Sequence, residues 1–485
     1  MNFSCVLHLL GRLCTVLAAL LLAPLLVCLH DNTLDGETAR AFTITAAGTF
    51  GLAIALRLVF RFRPERFHLP EAFAIVTAAW IVFTAIGSVP FVITGRIPNV
   101  VDAVFETMSG ITTTGASILP SPLVLDRPLL LWRSILQLVG GLGIVALSVA
   151  VLPALGAGGN FLFQAEAVGP EEGKLLPKIS AMAKLLWGLY VGLTLANIGA
   201  FLLAGMSPFD SVNHAFTTLA TGGFATKADS FASYSPTIQW VTVVFMFLAG
   251  TNFVLLLSVL SGRGKTLFRN TEWRVYCGII LVVSAMAVIT RYQAEGAPDG
   301  FEPLVRGAVF SIVSIITTTG FGTEDFNLWP PAMHVLLLFV MFCGACGGST
   351  GGGAKVSRLV LWWKAIGREL RRLLRPTGVF VVKIQDRTIP DGIVLKSLAF
   401  LLIILTSWVA TSLYLASTGQ SAETSISAAI ACLSCVGPGF DAVGPTQNFA
   451  AMTDGAKWVL TAAMLIGRLE FFSLLVLLTP MAWRR

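Results

Sequence analysis

Apolar residues run along this chain in stretches too long and too numerous for a soluble core. Two stretches come first, near 5–29 and 41–60. Eight more follow, near 70–93, 129–152, 181–204, 237–260, 275–291, 332–361, 393–415 and 455–480. As helices, most could cross a hydrocarbon layer of ~30 Å. The eight fall into pairs, and each pair brackets a shorter segment that cannot cross, at 100–119, 208–226, 304–326 and 420–445. Non-helical backbone at membrane depth survives only where protein buries it or where it lines a water-filled cavity. The pattern predicts an all-α polytopic membrane protein with four repeats of helix, re-entrant segment and helix. The repeats occupy 67–160, 161–265, 266–375 and 376–485, after two extra helices in 1–66.

Each re-entrant segment carries a related tetrapeptide. These are Thr112-Thr113-Thr114-Gly115, Leu219-Ala220-Thr221-Gly222, Thr317-Thr318-Thr319-Gly320 and Ser434-Cys435-Val436-Gly437, with glycines spaced 107, 98 and 117 residues apart. A short helix before each glycine would direct its negative dipole end inward, which favours a cation. Glycine permits a backbone turn that a side chain would block, and the hydroxyls add oxygens. Any one of these segments reads as a small-residue helix contact. Four in register predict a ring of carbonyls that replaces the water around an ion. The candidate cation-binding residues are Thr113, Thr114, Gly115 and Ala116; Ala220, Thr221, Gly222 and Gly223; Thr318, Thr319, Gly320 and Phe321; and Cys435, Val436, Gly437 and Pro438.

Composition agrees with the membrane reading. The chain of 485 residues is 55% hydrophobic and 12% charged, about half the charge of an average soluble protein. A cleaved signal peptide competes for residues 5–29, but that run exceeds a signal's apolar core, so a retained helix is expected. Net charge is +7, and its placement is informative. Arg57, Arg61, Arg63 and Arg66 follow the second stretch, and Arg263, Lys265, Arg269 and Arg274 follow the sixth. Lys364, Arg368, Arg371, Arg372, Arg375 and Lys383 form a third cluster, and Arg484 and Arg485 a fourth. Asp31, Asp35 and Glu37 lie in the first loop instead. The positive-inside rule puts the basic loops and both termini in the cytoplasm of a bacterial-style inner membrane. Charge that tracks loop sidedness argues against nucleic-acid binding and for contact with membrane lipid.

The stretch near 332–361 is interrupted by Gly344, Gly347, Gly348, Gly351, Gly352 and Gly353, a density no regular helix in lipid sustains. It predicts a mobile loop beneath the ring, with close helix packing as the alternative. The candidate gating residues are Gly347, Gly348, Ser349, Thr350, Gly351, Gly352, Gly353, Lys355 and Arg468. Arg468 lies deep in the last stretch, where an arginine costs at least ~2.5–3.5 kcal/mol unless it finds a polar partner. It is expected beneath the ring, bonded to carbonyls of the glycine-rich loop and opposing cations. Glu470, two positions on, points elsewhere and makes no simple pair with it.

Other motifs carry less. Gly264-Lys265-Thr266 resembles the end of a phosphate-binding loop, but Val259 stands where a glycine is required, so no nucleotide site is expected in this chain. The Cys343/Cys346 and Cys432/Cys435 pairs have metal or redox spacing, yet they sit at membrane depth without a flanking histidine and read as small packing residues. His8, His30, His68, His214 and His334 lack ligand spacing. Glu106, Asp210, Glu324, Asp325 and Asp441 either concentrate cations at the outer mouth or are solvated loop charges.

From about residue 70 onward the chain resembles the Trk/Ktr/HKT superfamily of cation transporters, and most closely its TrkH-type potassium uptake members. The likeness rests on Phe342 to Arg358, Cys432 to Phe440, Ala220 to Phe224, Gly467-Arg468-Leu469-Glu470 and the linker Glu166 to Trp187. The resemblance implies four M1-P-M2 units around one potassium path, and a homodimer. It implies filter glycines at Gly115, Gly222, Gly320 and Gly437, the glycine-rich loop as an intramembrane gate, and TrkA-type nucleotide-binding subunits docked on the cytoplasmic side. Serine at the first filter glycine accompanies sodium transport in such families. Glycine at all four positions favours potassium, with a sodium-conducting or potassium/sodium-coupled transporter as the alternative. Ser434-Cys435 departs from the polar amides frequent there.

Overall fold

A computed structural model of the chain describes residues 3–61, 69–150, 175–298, 300–385 and 387–480. The expectations placed on Arg63, Arg66, His68, residues 166–174 of the linker, Arg484 and Arg485 lie outside the described residues.

The N-terminal stretch forms α1 (Phe3–Leu20) and α2 (Ala23–His30), with Pro24 in the first turn of α2, where its missing N–H costs no helical bond. The chain returns through α3 (Glu37–Val59), packed along α1. Then come α4 (Leu69–Ile93), α5 (Val100–Ile111) and α6 (Arg127–Ala150). The next group is α7 (Leu175–Leu203), α8 (Pro208–Leu219), α9 (Pro236–Ala249) and α10 (Phe253–Leu260). After the short α11 (Lys265–Arg269) follow α12 (Thr271–Glu295), α13 (Phe301–Ile316), α14 (Pro331–Cys343) and α15 (Val356–Leu374). The last group is α16 (Asp391–Ser417), α17 (Ala422–Leu433), α18 (Asp454–Arg468) and α19 (Phe472–Leu478).

Among the described residues, seven helical segments are long and apolar enough to cross a membrane, and the chain is a multi-pass membrane protein. Their outward faces stay apolar, as lipid requires, with Leu203 92% and Leu413 66% exposed. One apolar core joins α4, α5 and α6 to α17 and α18 through Trp80, Phe105, Trp132, Ala428 and Leu460. A second joins α9, α12, α13 and α14 through Met246, Tyr276, Phe310 and Leu337.

Three expectations need correction. The stretch 237–260 is two helices bent by 102° across Gly250–Asn252. Asn252 explains the break: its Oδ1 accepts from Val254 N at 2.9 Å, capping α10, while its Nδ2 donates to the Gly347 carbonyl at 2.6 Å. The stretch 455–480 also breaks. Leu469 ends α18, and Glu470 and Phe471 both take positive φ, 53° and 58°. Finally, the chain is not wholly helical. Val382–Ile384 and Arg387–Ile389 form an antiparallel hairpin pairing Val382 with Ile389 and Lys383 with Thr388, favoured by its alternating β-branched residues.

Candidate functional site

The four short helices begin and end by similar means. Asn99 caps α5 through Val101 N (2.8 Å), Ser207 caps α8 through Asp210 N (3.1 Å) and Ser421 caps α17 through Thr424 N (3.1 Å). Helix α13 follows Gly300 without a side-chain cap. All four end in one motif. The N–H groups of Thr113, Thr221, Thr318 and Cys435 donate to Gly110, Thr218, Ile315 and Cys432, at 3.0, 3.0, 3.0 and 3.3 Å. The next N–H groups, of Thr114, Gly222, Thr319 and Val436, donate to Ser109, Thr217, Ser314 and Ala431, at 2.9, 2.8, 2.8 and 2.8 Å. This is the Schellman pattern, which needs a left-handed residue after the cap. Glycine usually supplies it. Here Thr113, Thr221, Thr318 and Cys435 do so, with φ of 53°, 52°, 59° and 55°. Left-handed, β-branched threonine is strained by about 1–3 kcal/mol, and such strain gathers at functional sites.

Two residues further on, Gly115, Gly223, Gly320 and Gly437 have φ of 83°, 80°, 81° and 101°. The equivalent of Gly115 in the second segment is therefore Gly223, not Gly222. Two successive glycines made the register ambiguous, and Gly222 instead matches Thr114, Thr319 and Val436. A Cβ on Gly115 would strike the Gly222 carbonyl, one on Gly223 the Thr319 carbonyl, one on Gly320 the Val436 carbonyl, and one on Gly437 the Thr114 carbonyl. Each side abuts the next, and the fourth returns to the first. The four turns form a closed ring. A cavity of about 110 Å³ touches Gly115, Gly223, Gly320 and Gly437, together with Ala116, Phe224 and Pro438.

The acids flanking the ring are engaged in internal bonds. Glu106 is fully buried, 2.7 Å from Arg133, and accepts from Ile118 N at 3.0 Å. Asp210 accepts from Thr226 (2.7 Å), Asp325 from Thr446 (3.0 Å) and Asp441 from Thr424 (2.8 Å). Hydrogen bonds from the Ser421 and Thr424 hydroxyls hold the Asp441 carboxyl below its usual range. Glu324 meets Arg291 through two contacts of 2.8 Å. Most of these bonds staple the chain beyond each turn to a short helix. His214 packs against Phe231 and Tyr234, with Nδ1 2.9 Å from the Asp210 carbonyl.

The glycine-rich loop lies directly beneath the ring. Gly352 N donates to the Thr318 hydroxyl at 2.7 Å, and a Cβ on Gly351 would stand 2.9 Å from the Thr317 carbonyl. The loop is also tied from the sides. Gly347 N donates to Glu272 (2.6 Å), Cys346 N to the Gly250 carbonyl (3.1 Å) and Phe253 N to the Gly348 carbonyl (3.0 Å). Arg468 is 2% exposed and donates to the Thr350 carbonyl at 2.8 Å and the Gly140 carbonyl at 3.4 Å, in accord with the bonds expected from its depth. Glu470 does not pair with it. Its carboxylate meets Arg358 and lies 3.7 Å from Lys355, whose Nζ donates to the Gly351 carbonyl at 3.1 Å. The break after α18 thus aims a carboxylate at the far end of the loop.

Sequence reasoning missed Asn252, Glu272, Glu470 and Gln137, whose Nε2 donates to the Gly222 carbonyl at 2.6 Å, as partners of these elements. Asn252 had a local signal, an N-cap residue type two positions after Gly250. The others depend on contacts distant in sequence.

Comparison with known proteins supplies the family. The TrkH family, described as cation transport protein, matches residues 40–286 and 303–484. "Trk system potassium uptake protein TrkH" of Salmonella typhimurium is 38% identical over 493 residues, covering 100% of both chains. "Trk system potassium uptake protein TrkI" of Halomonas elongata is 35% identical, covering 99% of this chain and 97% of its own. The crystal structure of the potassium transporter TrkH from Vibrio parahaemolyticus superposes with a TM-score of 0.90 at 35% identity, covering 100% of each chain.

Proposed function

Because this chain belongs to the TrkH family of cation transport proteins, we propose that it carries potassium across a bacterial inner membrane through the ring. The closed ring is the observation that carries this reading. Four short helices turn their C-terminal ends to it, each with about half a negative charge. Backbone oxygens of such a ring would replace the water around a dehydrated cation. In the corrected register the ion-binding set is Thr113 to Ala116, Thr221 to Phe224, Thr318 to Phe321 and Cys435 to Pro438. Each of the four repeats acts as one M1-P-M2 unit.

The glycine-rich loop is the gate in this proposal, and Arg468 the positive barrier beside it. Cations leaving the ring meet Thr350 to Gly353 and then the guanidinium. Opening requires the loop to surrender its bonds to Thr318, Glu272 and Arg468. A cytoplasmic nucleotide-binding partner of the TrkA type controls that step by docking near Arg368, Arg371, Arg372 and Arg375, and two copies of the chain form the working unit. The name of the relatives as parts of a Trk system supports a multi-component assembly.

Purified protein in liposomes tests the reading. Imposed potassium gradients should drive flux well above that of empty vesicles, and sodium gradients much less. Equal or greater sodium flux would replace potassium with sodium as the cargo. No cation flux, with partner added, would reject transport.

A further inference from the structure

Three of the four equivalent ring carbonyls, those of Thr114, Thr319 and Val436, receive no hydrogen bond from any described residue. The fourth does. Gln137, fully buried on α6, donates from Nε2 to the Gly222 carbonyl at 2.6 Å. Its Oε1 accepts from Phe224 N at 3.2 Å, which fixes the orientation of the amide, since only the nitrogen can face a carbonyl and only the oxygen an N–H. A Cβ on Gly222 would stand 2.8 Å from the Gln137 nitrogen, so the side chain is wedged directly behind the backbone.

We propose that Gln137 is a specificity-determining positioning residue. By holding one lone pair of the Gly222 carbonyl, it lowers the field of one side of the ring and tunes the preference between potassium and sodium. This rests on the ring being the ion path. A carbonyl that shares its electron density with an N–H has less left for a cation. Ring field strength is one of the quantities that sets the preference between a larger and a smaller ion, and a stronger field favours the smaller. The second side of the ring is therefore softer than the other three. The softness is imposed from outside the tetrapeptide, by a residue on the helix of the preceding repeat. The bond to Phe224 N also fixes the height of this carbonyl, because it anchors the chain on the other side of Gly223.

Two variants test the idea, with potassium and sodium flux measured separately in liposomes and normalised to inserted protein. Gln137→Met fills similar space and removes the donor. The potassium-to-sodium flux ratio should fall by about threefold or more, as the freed carbonyl strengthens one quarter of the ring. Gln137→Glu keeps the acceptor for Phe224 N and carries the test if the methionine variant does not insert. Its acid form donates as glutamine does, so its ratio should approach the parent's at low pH and depart from it as pH rises. A role confined to packing would lower both fluxes, or protein yield, with the ratio unchanged in both variants and at all pH values. That result overturns the proposal. Failure of the parent to conduct either cation would instead strike the reading on which the proposal rests.

Discussion

The ring and the loop beneath it are both built from glycine and small polar residues, yet their shapes are held by different means. The ring is fixed by backbone conformation. Four left-handed residues and four left-handed glycines take similar φ at matching places, and the Schellman bonds that close each turn are local, within one short helix and its cap. The loop has some bonds of its own, such as Ser349 Oγ to the Cys346 carbonyl at 2.6 Å and Lys355 Nζ to the Gly351 carbonyl at 3.1 Å, but no repeated motif. Its remaining ties run to Glu272, Asn252, Thr318 and Arg468, and from its far end to Glu470, all on other elements. Local strain backed by packing suits a ring of constant geometry, and ties to many separate elements suit the moving gate proposed for the loop.

That contrast can be broken first at its strongest external tie. Glu470→Gln leaves Lys355 and Arg358 buried with a neutral partner, and loss of one member of a buried ion cluster typically costs about 3–5 kcal/mol. The thermal unfolding midpoint in detergent should fall clearly. An unchanged midpoint would mean that the cluster does not hold the loop end. Next in size is Gly115→Ser, which forces a side chain at φ +83° against the Gly222 carbonyl. Strain of about 1–3 kcal/mol there should cut potassium flux about tenfold and weaken discrimination against sodium, with protein yield nearly unchanged. Flux ratios equal to the parent's would remove Gly115 from the ring's function.

Arg468→Ala probes the loop from below. Removing the guanidinium frees the Thr350 carbonyl and the proposed barrier together, so basal flux should rise a few-fold, while Arg468→Lys keeps a charge and stays near the parent. If alanine lowers flux at equal insertion, the arginine anchors structure and is no barrier. The smallest effect is expected at Asp441→Asn, beyond the fourth turn of the ring. The Ser421 and Thr424 hydroxyls hold the Asp441 carboxyl below its usual range. Its stabilising contribution is therefore full above the unfolded-state pKa and fades as pH falls through the lowered value. The carboxyl is largely exposed, so the loss should stay below ~1 kcal/mol at neutral pH. The parent and the variant should converge in stability as the solution is acidified. A gap that widens in acid would contradict the assignment.

The local character of the ring explains why much of it was legible in the sequence. Thr-Thr-Thr-Gly occurs twice, and the other two segments echo it at similar spacing. The register slipped only where Gly222 and Gly223 adjoin, because composition cannot say which of two glycines takes the left-handed turn. The loop's position was legible from its glycine density, and the depth of Arg468 from residue counting. Their partners were not. The breaks at Gly250–Asn252 and Leu469–Phe471 lie in apolar runs that read as continuous helix. They exist because Asn252 and Glu470 find partners about one hundred residues away in the chain, Gly347 and Arg358. Gln137 was hidden for the same reason, a lone amide on an apolar helix whose target belongs to the next repeat.

The ring also closes within a single polypeptide. In an assembly of four identical chains every substitution appears four times, so a change small enough to be useful at one side is multiplied before selection can act on it. Here Thr113, Thr221, Thr318 and Cys435 occupy matching places with three hydroxyls and one thiol. Each side can drift by itself, and an ion on the proposed path would meet the average of four separately adjustable neighbours.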